Sequence, residues 1–265
     1  MADKPVIVIV DYHKGNLSSM ARGLARAGAE AQVTDDPERI RAADGIVLPG
    51  VGSFYDAIAF MRESGQDRAV IDAVAGGAGA PFLGVCLGLQ LLFERGDEGV
   101  PDAPAPAPAD APAPADAPAE MPPEPAGSDL RDTPGTVFEA EGKRWVRGLG
   151  LLKGSCTVLP ADRLKIPHVG WDQVHLTPAG LVCPLLDGFD EGANLYFTHS
   201  YALDGDADAG DIAARTFYAR AFGSVVWHGN IYGCQFHPEK SSAHGHRILE
   251  NFVRIVEARV KEVGA

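Results

Sequence analysis

Cys86 stands in the run Gly84-Val85-Cys86-Leu87-Gly88, between an apolar stretch that reads as a strand (PFLGV) and one that reads as a helix (LGLQLLFER). A glycine-flanked nucleophile at a strand-to-helix turn is the pattern of a nucleophile elbow, and its chemistry is acyl transfer. The turn is strained, and the glycines remove side chains that would clash within it. The first turn of a helix favours a thiolate, because free N–H groups and the helix dipole stabilise negative charge. The backbone N–H of Leu87 then points to where an oxyanion would form. The same five residues are also compatible with a buried structural thiol.

A second cluster, GCQFHPEKS, carries His237 and Glu239 after the apolar run IYGCQF. In extended chain, residues i and i+2 face the same side. Glu239 could accept from one ring nitrogen of His237 while the other addresses Cys86, giving a nucleophile, a base and an orienting carboxylate. A surface turn begun by Pro238 is the alternative. A third piece, Gly50-Val51-Gly52, follows the strand-like GIVLPG and could bring a second backbone donor to the oxyanion, or be an ordinary loop. No metal is expected. His237 with Glu239, or His244 with His246, leaves the ligand count short. Nothing points to a cofactor.

Positioning these groups requires particular elements. VIVIV (6–10), GIVLPG (45–50) and PFLGVC (81–86) are apolar throughout, as strands buried on both faces require, and they alternate with helical patterns. Leu17, Met20, Leu24 and Ala27 repeat at helical spacing up to Gly28; shorter helical patches fall near 37–43, 57–61 and 69–74. This βαβα grammar implies a parallel sheet covered on both faces. From 143 to 236 the pattern turns strand-rich, as TVLP, GWDQVHL, ANLYFTHSYAL, TFYARAFGSVVWH and NIYGCQF, predicting a mixed or antiparallel half that extends this sheet or packs on it. A last helix starts near Ser241 or Ser242, with Ile248, Phe252, Ile255, Val256 and Val260 as its apolar stripe.

Residues 101–126 break the pattern, with ten Pro, ten Ala, five acidic residues and one Met. Such a composition cannot bury enough apolar surface to offset ordering entropy, so a disordered or polyproline insertion is expected within a single domain spanning 1–265. The 265-residue chain is 46% apolar and has a net charge of −13, which suits a sizeable core and argues against a nucleic-acid partner. Its four cysteines form no CxxC pair. The early apolar run is too short for a signal core or a membrane span, so a cytoplasmic protein is expected.

The elbow, the Gly50–Gly52 loop and the late His-Pro-Glu resemble the class I glutamine amidotransferases. DYHKGNLSS (11–19), KIPHVGWDQV (165–174) and YFTHSYAL (196–203) narrow the resemblance to the glutaminase subunits of imidazole glycerol phosphate synthases. It spans the chain apart from the Pro/Ala insertion, although His13-Lys14 stands where relatives carry small residues. It implies an α/β, flavodoxin-like glutaminase fold hydrolysing L-glutamine, with ammonia passed to a separate (β/α)8-barrel cyclase subunit in a heterodimer. That partner would make imidazole glycerol phosphate and aminoimidazole carboxamide ribonucleotide in histidine biosynthesis. By the same resemblance, Cys86 is the nucleophile, His237 the acid/base and Glu239 its orienter, with Gly50, Val51, Gly52 and Leu87 serving the oxyanion. Gln90, Glu98, His199, Ser200 and Tyr201 match positions that hold glutamine. Asn16, Lys165, Trp171, Tyr196 and Lys240 match positions facing the cyclase. The rival functions are another class I glutaminase (pyridoxal phosphate or purine synthesis), a stand-alone Cys-His hydrolase, and a non-catalytic binding partner.

Overall fold

The structure, a computed structural model, describes residues 4–75, 79–101, 133–162 and 164–264. The expected Pro/Ala insertion therefore lies, apart from Pro101, outside the described residues. The N-terminal elements are β1 (Val6–Val10), α1 (Leu17–Arg26), β2 (Glu30–Thr34), α2 (Pro37–Arg41), β3 (Gly45–Gly50), α3 (Phe54–Ser64), α4 (Gln66–Ala75), β4 (Phe82–Cys86), α5 (Leu87–Gln90) and β5 (Phe93–Gly96). The C-terminal ones are β6 (Val137–Ala140), β7 (Lys143–Arg147), β8 (Leu152–Val158), β9 (His168–Leu176), β10 (Ala193–His199), β11 (Tyr201–Leu203), β12 (Ile212–Tyr218), β13 (Arg220–His228), β14 (Ile231–Cys234) and α6 (Ser242–Val263).

Among the described residues, nine strands form one sheet in the order β10-β9-β12-β13-β14-β4-β3-β1-β2. From β2 to β14 the pairing is parallel, and from β14 to β10 antiparallel. Strands from both sides of the Pro/Ala run thus share this sheet. The parallel strands are apolar on both faces because both are covered. Ile7, Ile9, Val47 and Val85 pack on one side with Met20 and Leu24 of α1 and Ile248 and Phe252 of α6. Val8, Val10, Ile46 and Leu48 pack on the other with Ile40 of α2, Ile58 of α3 and Val70 of α4. Each fully buried Val, Ile or Leu contributes about 1.5–3 kcal/mol.

The helix starts follow from their caps. Asn16, Asp36 and Ser53 accept from the backbone N–H groups of Ser19, Glu38 and Asp56, and Pro37 takes the first turn of α2. The long C-terminal helix starts where expected, but Ser241 does not cap it with its side chain. Along its apolar stripe, Ile248, Phe252 and Val256 are buried while Val260 is exposed.

Three other expectations change. LGLQLLFER is helical only over Leu87–Gln90, and Phe93–Gly96 is a strand. A run buried on all sides reads alike for helix and strand; here pairing with β7 and β8 in a second, five-stranded sheet (β11-β8-β5-β7-β6) decides it. ANLYFTHSYAL breaks at Ser200, where the chain leaves the large sheet at β10 and joins the smaller one at β11. TFYARAFGSVVWH is a hairpin turning at Ala219, which takes a left-handed φ of 60°.

The large sheet sets the geometry of the elbow. Gly50 of β3 lies directly opposite Cys86 of β4, and Cys234 of β14 opposite Val85. The loops leaving three adjacent parallel strands therefore emerge side by side at their carboxyl ends, where open α/β sheets bind ligands. Gly88 packs against β3 so closely that a Cβ there would lie 1.7 Å from the Leu48 carbonyl oxygen. Gly88→Ala should therefore destabilise the protein by about 3 kcal/mol, the upper end of overpacking costs, lowering its thermal midpoint. An unchanged midpoint would contradict this packing.

Candidate active site

Cys86 adopts φ 55° and ψ −108°, a left-handed conformation that costs a non-glycine residue energy. A Cβ on Gly84 would lie 2.5 Å from the Gly88 carbonyl oxygen, so both flanking glycines are sterically required. The helix following the elbow is a single turn, so free N–H groups rather than a long dipole offer stabilisation to an anion here. The sulfur lies 3.6 Å from the Gln235 side-chain amide nitrogen and 3.8 Å from the Thr198 carbonyl oxygen. All four cysteines are free and buried. Burial pushes the Cys183 thiol up to about 11 and those of Cys156 and Cys234 well above the ordinary range. Those three are protonated at neutral pH.

His237 follows β14, and its Nδ1 lies 2.9 Å from Glu239 Oε1, both side chains being almost fully buried. The contact is the expected one, but its geometry is not. Pro238–Lys240 forms a 3-10 turn rather than extended chain, and the turn folds Glu239 back to the ring. Nε2 is buried and makes no hydrogen bond of ordinary geometry in this resting arrangement. Burial alone would lower the ring's pKa; interaction with the Cys86 side chain, then with Glu239, outweighs it and raises His237 to about 9. Contacts between a nucleophile and its base are commonly loose at rest and tighten when substrate binds.

Ser241 holds this imidazole in place. Its hydroxyl donates to the His237 carbonyl oxygen (2.6 Å) and accepts from the Tyr196 backbone N–H (2.9 Å), while the His237 N–H donates to the Tyr196 carbonyl (2.9 Å). The serine at the start of α6 thus clamps the His237 turn to β10.

A cavity of about 330 Å³ opens over the elbow, lined by Cys86 and Leu87, by Val51 and Gly52, and by Gln90, Glu98, His199, Ser200 and Tyr201. Every residue expected to contact glutamine borders it. Gly50 lies just beneath: a Cβ there would overlap the Tyr12 hydroxyl. That hydroxyl is buried without a hydrogen-bond partner, and burial, then the nearby Cys86, push its pKa far above the usual phenol range. Glu98 Oε2 accepts from the Phe54 N–H at the start of α3. Burial, with the charges of Asp97 and Asp56, raises Glu98 to about 7 against the lowering effect of that hydrogen bond. His199 moves opposite to His237: burial first, then the nearby His168, His237 and Arg220, push it down to about 3. One site thus holds a neutral and a protonated imidazole at pH 7.

Of the residues expected to face a partner, three come together. The Trp171 and Tyr196 rings meet edge to face at 6.0 Å, the Lys240 ammonium stands 6.0 Å over the Tyr196 ring, and Trp171 is 52% exposed. Asn16 caps the start of α1, beside Gly15, which approaches Gly50. Lys165 is exposed, and its carbonyl oxygen accepts from the Tyr218 hydroxyl. Sequence reasoning missed Gln235, His168, Tyr12 and Ser241. Gln235 was within reach of the same alternation that paired His237 with Glu239, extended two residues back. Among the described residues no three His, Cys, Asp or Glu side chains converge as metal ligands, and no helix is long and apolar enough to cross a membrane.

A model of the family Glutamine amidotransferase class-I matches residues 8–256. With the cysteine elbow and its imidazole–carboxylate neighbour, that match settles the class: the chain belongs to the class-I glutamine amidotransferases. It is 39% identical to the imidazole glycerol phosphate synthase subunit HisH of Symbiobacterium thermophilum, over 94% of this chain and 94% of that one. It is 35% identical to the HisH subunit of a Geobacillus species, over 96% and 99%. Within the class, then, it is a member of the HisH family. The fold alone is shared with a putative GMP synthase subunit from Thermoplasma acidophilum (TM-score 0.64, 16% identity, 100% of both chains) and with another glutamine amidotransferase (TM-score 0.60, 14% identity, 95% of this chain and 98% of that one).

The causes of the His237 shift predict an order. Cys86→Ala and Glu239→Gln should each lower its pKa from about 9, the cysteine change more, when the ring is titrated by NMR. A value unmoved by Cys86→Ala would mean that the imidazole does not sense the sulfur.

Proposed function

We propose that this chain hydrolyses L-glutamine to glutamate and ammonia through Cys86, His237 and Glu239, and hands the ammonia to a (β/α)8-barrel cyclase with which it forms a heterodimer. The observation that carries this reading is the approach of the His237–Glu239 pair to a strained cysteine at the floor of a 330 Å³ cavity. The cyclase would use the ammonia to make imidazole glycerol phosphate, the compound in the HisH relatives' name, together with aminoimidazole carboxamide ribonucleotide. Residues 1–265 are read as one amidotransferase domain, with 101–126 inserted in it, working in the cytoplasm. Trp171, Tyr196 and Lys240, with Asn16 and Lys165, would face the cyclase. Kinship with HisH subunits disfavours a pyridoxal or purine role, a stand-alone hydrolase and a non-catalytic binder.

The reaction follows from the groups present. The Cys86 thiolate attacks the carboxamide carbon of glutamine, and the carbonyl oxygen gains negative charge beside the Leu87 N–H and the Gly50–Gly52 loop. Each donor to such an oxyanion is worth about 3–4 kcal/mol. The imidazolium of His237 protonates the departing nitrogen, ammonia leaves, and a thioester to Cys86 remains. Neutral His237 then takes a proton from water, whose oxygen attacks the thioester carbon. Glutamate departs and the thiolate–imidazolium pair is restored. Glu239 holds the ring by Nδ1 throughout, leaving Nε2 for the reacting atoms. Glu98 would receive the α-ammonium of glutamine.

Cys86→Ala should abolish ammonia release from glutamine while leaving association with the cyclase intact. Ammonia release at the wild-type rate would overturn the assignment. Because Glu98 titrates near 7 in the free protein and an ammonium ion favours its ionised form, glutamine should bind more weakly as pH falls. Below pH 7, KM should rise towards about ten-fold per pH unit, the limit for one required ionisation. A KM flat between pH 6 and 8 would remove Glu98 from the ammonium site.

A further inference from the structure

His168, in the KIPHVGWDQV stretch, has no part in the reaction above, yet it is buried and chemically engaged. Its ring is stacked between Tyr218 (centroids 3.9 Å apart) and Phe197 (4.9 Å). Its Nδ1 lies 3.1 Å from His199 Nε2, across the β9–β10 pair in which the two residues are directly opposite, and its Nε2 lies 3.4 Å from Asp172 Oδ2. His199 Nδ1 lies 2.8 Å from the Tyr201 carbonyl oxygen, which also accepts from the Gln90 side-chain amide at 2.8 Å. The same amide donates to Gln235 Oε1 (3.1 Å), and Gln235 Nε2 donates to Cys86 Sγ (3.6 Å). A continuous chain of polar contacts thus runs from His168 to the reactive sulfur. Burial lowers the His168 pKa, so a ring that donates from Nδ1 has no hydrogen on Nε2 for Asp172.

The sense of each link from His168 to the sulfur follows from one group, the Tyr201 carbonyl. A carbonyl oxygen can only accept, so His199 Nδ1 and the Gln90 nitrogen both donate to Tyr201. His199 is neutral, so its Nε2 must be an acceptor, and His168 Nδ1 must carry the proton between them. At the other end the second Gln90 hydrogen takes the Gln235 oxygen, which leaves only the Gln235 N–H2 to face sulfur. A donor there favours the thiolate over the thiol. Without a donor on His168, His199 is left with an unpaired buried nitrogen. The ring is then held only through its Nδ1–H bond to the Tyr201 carbonyl, the same oxygen that orients Gln90.

We propose that His168 is a positioning residue for glutamine hydrolysis, whose Nδ1–H holds the His199 ring against the Tyr201 carbonyl and so keeps Gln90, and through it the Gln235 amide, in place beside the Cys86 sulfur. The inference rests on Cys86 being the nucleophile. It separates from simple aromatic packing because phenylalanine suits the Phe197–Tyr218 stack equally well but has no donor.

The test uses the full chain, for alkylation of Cys86 by iodoacetamide, and its complex with the cyclase, for glutamine turnover. His168→Phe should lower both the alkylation rate and kcat/KM by about ten-fold, within the range known for residues acting through others. His168→Asn, whose amide nitrogen sits where Nδ1 was, should restore most of both. His168→Gln, which carries its amide nitrogen at the Nε2 position, should behave like phenylalanine, so the Asn–Gln contrast decides the matter even if His168→Phe fails to fold. In Gln235→Leu, adding His168→Phe should cost nothing further. Wild-type behaviour of His168→Phe, equal rates for Asn and Gln, or additive losses in the double variant would each overturn the proposal. A wild-type complex that releases no ammonia, or keeps its activity after Cys86 is alkylated, would instead overturn the underlying reading.

Discussion

Cys86 and His237 stand 151 positions apart in the chain and meet because β14 pairs in parallel with β4. That pairing is the constraint on which the rest depends. A parallel neighbour delivers its following loop to the same end of the sheet. The residues after Cys234 therefore have to arrive beside the elbow, and the Gly50–Gly52 loop arrives on the other side by the same rule from β3. Three loops meet at one edge without any of them having to be long.

Around that meeting point the structure holds groups in unlike states. The His237 imidazole is protonated because a buried sulfur and a buried carboxylate flank it, and His199 is neutral chiefly because it is buried. Close packing keeps these states apart by excluding water, whose screening would draw both rings back towards their ordinary values. The Ser241 clamp works in the same direction. A serine that would ordinarily cap α6 is turned towards the backbone of His237 and Tyr196 and fixes the ring's height over the sheet. The helix does without a side-chain cap because α6 is anchored by its buried face.

Much of this was legible in the sequence because its causes are local. The glycines at 84 and 88 flank a turn that only small residues permit, and the apolar strands at 6–10, 45–50 and 81–86 carry no alternation because both of their faces are buried. The residues around the cavity over the elbow followed from resemblance, not from periodicity. What stayed hidden depends on distant partners. Phe93–Gly96 is a strand only because β7 and β8 pair with it, and Ser200 breaks a strand only because the chain changes sheets there. Gln235 is marked only by its place two residues before His237, and His168 carries no mark of its own. One reads as an ordinary strand residue and the other as a core aromatic, until folding sets them in a row of donors and acceptors that ends at sulfur.

The central claim is that one of four buried thiols has been made into a nucleophile towards the carboxamide of glutamine. It is tested most directly by treating the chain, in complex with its cyclase, with a glutamine analogue bearing an electrophilic chloroketone in place of the carboxamide and mapping the adduct by mass spectrometry. The account predicts a single adduct on Cys86, suppressed by glutamine, with glutamine hydrolysis lost in proportion to labelling. An adduct on Cys156, Cys183 or Cys234, or glutamine hydrolysis that survives full labelling of Cys86, would contradict it.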